Sequence, residues 1–135
     1  MADSIGKGEL ADPGTVYAAV GGMPFFERLV DAFYDRVEHD AVLLAMYPES
    51  HDLGPARVRL RLFLAQYWGG PTTYSQTRGH PRLRMRHMPF AIGEDERDRW
   101  LAAMHGALDE LDPPAPIAGV MRDYFAMAAD AMRNR

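Results

Sequence analysis

Residues 79–90 read GHPRLRMRHMPF and form the most informative segment of the 135-residue chain. Pro81 suits the first turn of a helix, where its missing N–H costs nothing, and Pro89 disfavours helical geometry at the residue before it. The segment is therefore predicted to be one short helix, with Leu83 and His87 on one face. An imidazole at the end of such a helix suits a single axial bond to a metal. The competing interpretation is a surface histidine in a basic turn, which base rates favour for this motif alone.

The composition narrows the class of protein. A hydrophobic content of 47 % is ordinary for one globular domain of this length. No apolar run could span a bilayer and the first residues lack a signal-peptide core, so a cytoplasmic protein is predicted. The net charge of −4 gives no support to nucleic-acid binding. Cysteine is absent, which excludes thiolate metal sites, iron–sulfur clusters and covalent haem attachment.

Apolar periodicity predicts an all-α domain over residues 15–135, preceded by a disordered tail of residues 1–14. Thr15 is expected to cap a helix from Val16 to Val20, and Asp40 a second short helix. Residues 71–80 lack any period and are predicted to be a long loop, a feature more often functional than idle. Longer amphipathic helices are predicted after Pro24, after Pro55, from Glu94 to Leu111 and after Pro116. The last of these is expected to face inward with Ile117, Val120, Met121, Tyr124 and Ala128.

The order of several motifs is specific. Gly21-Gly22 separates the first two predicted helices, and Tyr34 and Tyr47 precede RLRLFLAQYWGGP at residues 59–71. The His87 segment follows, and then Trp100 early in the next helix. This order resembles the truncated haemoglobins, the two-over-two globins, and within them group II. The resemblance covers residues 15–132 and implies a two-over-two helical sandwich around haem, with a long loop before a short proximal helix.

The resemblance implies a b-type haem with His87 as the proximal iron ligand. A neutral imidazole is the usual protein ligand of a haem iron whose sixth position stays open. Arg59 and Arg86 become candidates for pairing with the haem propionates, because guanidinium matches carboxylate geometry. The full set of implied haem contacts is Phe33, Leu53, Arg59, Phe63, Tyr67, Leu83, Arg86, His87 and Phe90.

The resemblance also implies a distal pocket. Its hydrogen-bond donors would be Tyr34, Tyr47 and Trp100, although each alone is as readily explained as a packing residue. Ala56 stands where the family often has His or Gln and cannot bind a ligand through a hydrogen bond. Leu60 would complete the pocket. Three donors around one small ligand predict slow oxygen release.

Three functional hypotheses follow. The first is reversible binding of dioxygen, or of carbon monoxide or nitric oxide, for transport or sensing. The second is a haem redox enzyme, for nitric oxide dioxygenation or peroxide reduction, which would need an external reductase because the chain has no flavin or dinucleotide motif. The third is a haem-free helical module that binds RNA or a partner through arginine clusters, which the negative charge opposes. The sequence leaves homo-oligomer formation open.

Overall fold

The computed structural model describes residues 15–79, 82 and 90–135, and all regular structure in these ranges is helical. The all-α prediction is therefore confirmed for these ranges. The predicted tail and residues 80, 81 and 83–89 lie outside them. No described helix is both long and apolar enough to cross a membrane. The helices are α1 (Val16–Ala19), α2 (Met23–Glu38), α3 (Ala41–Leu44), α4 (Gly54–Tyr67), α5 (Thr73–Arg78), α6 (Glu94–Leu111) and α7 (Ala115–Ala131).

The two predicted helix caps are confirmed. The Thr15 hydroxyl accepts a hydrogen bond from the Ala18 N–H at 3.1 Å. The Asp40 carboxylate accepts hydrogen bonds from the N–H groups of Val42 at 3.0 Å and Leu43 at 3.2 Å. Each cap satisfies donors that the first turn of a helix leaves without partners. Local sequence signals thus set where α1 and α3 begin.

The chain divides into two compact units. One unit contains the described residues 15–31 and 54–79, and the other contains Ala32–Leu53, Arg82 and residues 90–135. Helix α2 is continuous across the boundary between them. This is the amphipathic helix predicted after Pro24, and it buries the apolar side chains of Phe25, Phe26, Leu29, Val30, Phe33 and Val37.

In the first unit, α1 is held against the end of α4. The Tyr17 N–H donates to the Trp68 carbonyl at 2.9 Å, and the Phe26 ring stacks with both the Tyr17 and Trp68 rings. Gly70 permits this approach, because a Cβ atom there would lie 2.6 Å from the Tyr17 ring. Gly69 precedes it with φ at +99°, a left-handed conformation that glycine adopts readily.

The prediction of a long loop over residues 71–80 is wrong, because helix α5 occupies Thr73–Arg78. Contacts with α4 provide the stabilisation that the sequence pattern did not reveal. The Ser75 N–H donates to Gln66 Oε1 at 2.9 Å, and Gln66 Nε2 donates to the Ser75 hydroxyl at 2.6 Å. Tyr74 is buried, with its ring centroid 5.5 Å from that of Phe63. A helix this short depends on such tertiary contacts.

In the second unit, α6 packs against both α3 and α7. Helix α6 has the predicted bounds, and α7 begins at Ala115, with a proline in its first turn. The predicted inward face of α7 is partly wrong. Met121 is buried, but Val120 is 52 % exposed, and Phe125 and Ala129 complete the buried face. The Phe125 ring lies against Trp100, a contact between helices that periodicity within α7 does not reveal.

Candidate functional site

A series of aromatic rings connects the three predicted distal donors in the second unit. The ring centroids of Tyr47 and Tyr34 are 5.6 Å apart, those of Tyr34 and Phe33 are 4.8 Å apart, and those of Phe33 and Trp100 are 5.3 Å apart. All three contacts are edge-to-face, the arrangement that aromatic quadrupoles favour. The structure thus brings together side chains from α2, from the turn after α3 and from α6.

The four rings of this aromatic series differ in solvent exposure. Phe33 has no exposed surface and Tyr34 is 4 % exposed, whereas Tyr47 and Trp100 are partly exposed. The Trp100 indole N–H makes no hydrogen bond within the described part of the chain. Tyr47 and Trp100 therefore retain surface that a small ligand could contact.

The turn that carries Tyr47 follows directly from α3. The Met46 N–H donates to the Leu43 carbonyl at 3.0 Å, and the Tyr47 N–H donates to the Leu44 carbonyl at 3.1 Å. These bonds extend helical turns past the end of α3. The position of Tyr47 therefore depends on where α3 lies.

Asp40, at the start of α3, is bound to α6. Arg99, which precedes Trp100, donates from Nη1 to both Asp40 oxygens at 3.1 and 3.2 Å, and from Nε to Asp95 at 2.9 Å. Burial by itself would raise the pKa of the Asp40 carboxyl. Hydrogen bonds from the Leu43 and Val42 N–H groups and from Arg99, together with the charge of Arg99, lower this pKa on balance.

Helix α4, in the first unit, carries five further predicted site residues: Ala56, Arg59, Leu60, Phe63 and Tyr67. Ala56 is 3 % exposed, Leu60 and Phe63 are partly exposed, and Tyr67 is 44 % exposed. The Phe63 and Tyr67 rings are 6.3 Å apart and tilted by 34°. Exposed aromatic surface of this kind suits a flat apolar macrocycle, so the side chains fit a haem group. Arg59, the candidate for a propionate, is also partly exposed.

Leu53 and Phe90 are the remaining predicted haem contacts among the described residues. The predicted metal ligand His87, with Leu83 and Arg86, lies outside the described residues. Leu53 is 4 % exposed, and Phe90 is partly exposed and accepts a hydrogen bond from Asn134 Nδ2 at 2.7 Å. Within the described ranges, no three His, Asp or Glu side chains are grouped as metal ligands.

Sequence reasoning missed the role of Arg99. The sequence predicts Asp40 only as a helix cap and indicates no contact for Arg99. The two residues are 59 positions apart, and no periodicity connects an arginine in one helix with the cap of another. The available signal was the position of Arg99 beside a predicted donor in α6.

The chain is similar to known globins over nearly its whole length. The model of the bacterial-like globin family matches residues 15–134. A group 2 truncated hemoglobin of Bacillus subtilis (strain 168) is 40 % identical over 119 residues, which cover 88 % of each chain. The haem-free helical module considered above therefore has no support.

Solved hemoglobin structures are similar to this chain in both fold and sequence. A hemoglobin of Thermobifida fusca has a TM-score of 0.86 and 58 % identity, with 89 % of this chain and 97 % of that chain covered. For a hemoglobin of Chloroflexus aurantiacus the values are 0.86 and 55 %, with 90 % and 98 % covered. A group II truncated hemoglobin of Bacillus anthracis gives 0.85 and 36 %, with 91 % and 93 % covered.

These similarities confirm the two-over-two globin fold and the resemblance to group II. They also support a haem globin that binds diatomic ligands. The chain belongs to the bacterial-like globin family, and its relatives there include group II truncated hemoglobins.

Proposed function

We propose that this globin binds dioxygen reversibly at a five-coordinate b-type haem and releases it slowly. Tyr34, Tyr47 and Trp100 act as hydrogen-bond donors to the ligand. One observation carries the proposal: the aromatic series holds all three side chains together and leaves Tyr47 and Trp100 partly exposed.

The haem would be held by side chains from several elements. His87 would supply the axial bond, and Leu60, Phe63 and Tyr67 would offer apolar surface to the macrocycle. When bound, haem supplies an iron whose remaining coordination position can take a diatomic ligand. Arg59 and Arg86 would pair with the propionates, and Leu53, Leu83 and Phe90 would complete the contacts. Phe33, which has no exposed surface, would support Tyr34 and Trp100 from behind.

The chemistry of the distal side chains favours slow release. Dioxygen gains negative charge when it binds, and O–H and N–H groups placed beside it stabilise that charge. A hydrogen bond to a charged partner contributes about 1.5–3 kcal/mol, which corresponds to roughly 10- to 150-fold in dissociation rate. Ala56 has no polar group to add, so the stabilisation would come from the tyrosines and Trp100.

Replacement of Trp100 tests this proposal. Trp100→Phe keeps a flat ring but removes the indole N–H, and we expect it to speed oxygen release about tenfold or more. Stopped-flow measurement of oxygen displacement by carbon monoxide gives the rate. Trp68→Phe is the matched control, because Trp68 is buried in the first unit and stacked with Phe26. An unchanged rate in Trp100→Phe would show that Trp100 only packs.

The physiological role would follow from reversible oxygen binding at the haem. No described residue specifically favours the redox alternative, which would also need an external reductase. Oxygen transport, a cytoplasmic location and assembly with a second copy stay predictions from the sequence. The ratio of the oxygen-release rate in Trp100→Phe to that in the wild type measures how strongly the Trp100 indole N–H retains the ligand.

A further inference from the structure

The Asp40–Arg99 ion pair connects the two elements that carry the accessible donors. Arg99 lies in α6 and is followed by Trp100, whereas Asp40 is the N-cap of α3, whose last turn leads to Tyr47. Both carboxylate oxygens of Asp40 accept from Arg99 Nη1, at 3.1 and 3.2 Å.

Both partners of this ion pair are already held in place by other bonds. Asp40 Oδ1 also accepts from the Val42 and Leu43 N–H groups, and Arg99 Nε donates to Asp95 at 2.9 Å. An ordinary surface ion pair contributes little because two free side chains must be ordered to form it. Here much of that ordering is done by the cap and by the bond within α6. The Asp40 side chain is 23 % exposed and the Arg99 side chain 41 %, so solvent screens this ion pair only in part.

We propose that the Asp40–Arg99 ion pair positions Tyr47 relative to Trp100, so that both donors reach the same ligand. Arg99 is thus a positioning residue, which acts through Trp100 and α3. The inference rests on the function proposed above for Trp100. Hydrogen bonds prefer donor angles above about 150° and weaken steeply below about 120°, so a displacement of α3 against α6 that turns a donor away from the ligand reduces the stabilisation of the ligand.

The effect on oxygen release should be smaller than that of losing a donor. Without the ion pair, both donors remain but their alignment is less well fixed. We expect oxygen release to become about three- to tenfold faster, a fraction of what removal of a donor to a charged partner would cause.

Three variants test the proposal in the haem-loaded protein. Asp40→Asn removes the charge but keeps an N-cap, since asparagine caps helices as well as aspartate does. Arg99→Gln removes the other partner, and the third variant combines both. Arg36→Gln is the matched control, because it breaks another ion pair to α6, with Glu110 at 3.0 Å, whose partners lie outside the aromatic series.

Two readouts are compared for each variant. The first is the rate of oxygen release. The second is the ¹H–¹⁵N resonance of the Trp100 indole in the diamagnetic carbon monoxide complex. The chain has two tryptophans, so Trp68, in the first unit, serves as the internal reference.

The proposal predicts faster release in Asp40→Asn and Arg99→Gln, with no further gain in the double variant. The Trp100 resonance should shift and that of Trp68 should not, while Arg36→Gln should leave both unchanged. The proposal is overturned if the Trp100 resonance stays in place, or if Trp68 shifts equally. A rate that is unchanged in these variants, although Trp100→Phe speeds release, also overturns it. If Trp100→Phe itself has no effect, the proposed function fails, and the indole shift still decides whether the ion pair positions Trp100.

Discussion

Phe33 is the centre of the aromatic series, and its replacement should affect both stability and ligand release. The ring is fully buried, with centroids 4.8 Å from Tyr34 and 5.3 Å from Trp100. Phe33→Leu keeps most of the buried apolar volume but removes both ring pairs. At about 0.5–1.5 kcal/mol for each pair, the free energy of unfolding should fall by roughly 1–3 kcal/mol. This is a substantial part of the ~5–15 kcal/mol typical of a domain.

The same replacement should also speed oxygen release, because Tyr34 and Trp100 lose the ring that separates and supports them. Urea unfolding followed by circular dichroism measures the stability, and stopped-flow absorbance measures the release. Phe25→Leu is the control: Phe25 is also buried, at 4 % exposed, lies in the first unit, and has one ring pair among the described residues, with Phe26 at 5.4 Å. We expect this control to lose stability but to release oxygen at the wild-type rate.

Two results would refute this reasoning. If Phe33→Leu were as stable as the wild type, the ring pairs would contribute nothing to folding. If it lost stability while its oxygen release matched that of Phe25→Leu, Phe33 would be an ordinary core residue.

Two further predictions concern stability alone. Gly70→Ala should destabilise the fold by about 1–3 kcal/mol, the usual cost of overpacking, because its Cβ would overlap the Tyr17 ring. Gly119 lies in α7 with open space around it, so Gly119→Ala should instead stabilise the fold by up to about 1 kcal/mol through helix propensity. Equal denaturation midpoints for the two variants would contradict this prediction. Burial, and then the charge of Arg122, lower the pKa of His105 below its ordinary 6.5. The folded state therefore disfavours the protonated imidazole, and stability is present above pH 6.5 and is lost as the pH falls through the lowered pKa. In His105→Gln the melting temperature should depend less on pH over this window, and an unchanged pH profile would show that His105 does not contribute.

Much of the fold could be predicted because its determinants are local. The caps at Thr15 and Asp40 and the bounds of α6 follow from residue types within one or two helical turns. Helix α5 could not be predicted, because its stability comes from Gln66 in another helix. The buried face of α7 was misjudged for the same kind of reason, since Phe125 is drawn inward by its contact with Trp100.

The candidate site was predictable only as a set of residue types. The resemblance to group II truncated haemoglobins pointed to Tyr34, Tyr47 and Trp100. In the structure the Tyr47 ring contacts Tyr34, and the Tyr34 and Trp100 rings both contact Phe33. The sequence did not reveal what positions Tyr47 relative to Trp100. That information lies in the bond between Asp40 and Arg99, which exists only once α3 has packed on α6.

The central claim is that this chain holds a haem through His87 with one coordination position open to ligands. An absorption spectrum tests it most directly, taken on the reduced wild type and on His87→Gly, before and after carbon monoxide is added. We expect a sharp Soret band that shifts with carbon monoxide in the wild type and is lost or altered in the variant. A wild-type protein that takes up no haem on reconstitution, or a variant whose spectrum matches that of the wild type, would contradict the account.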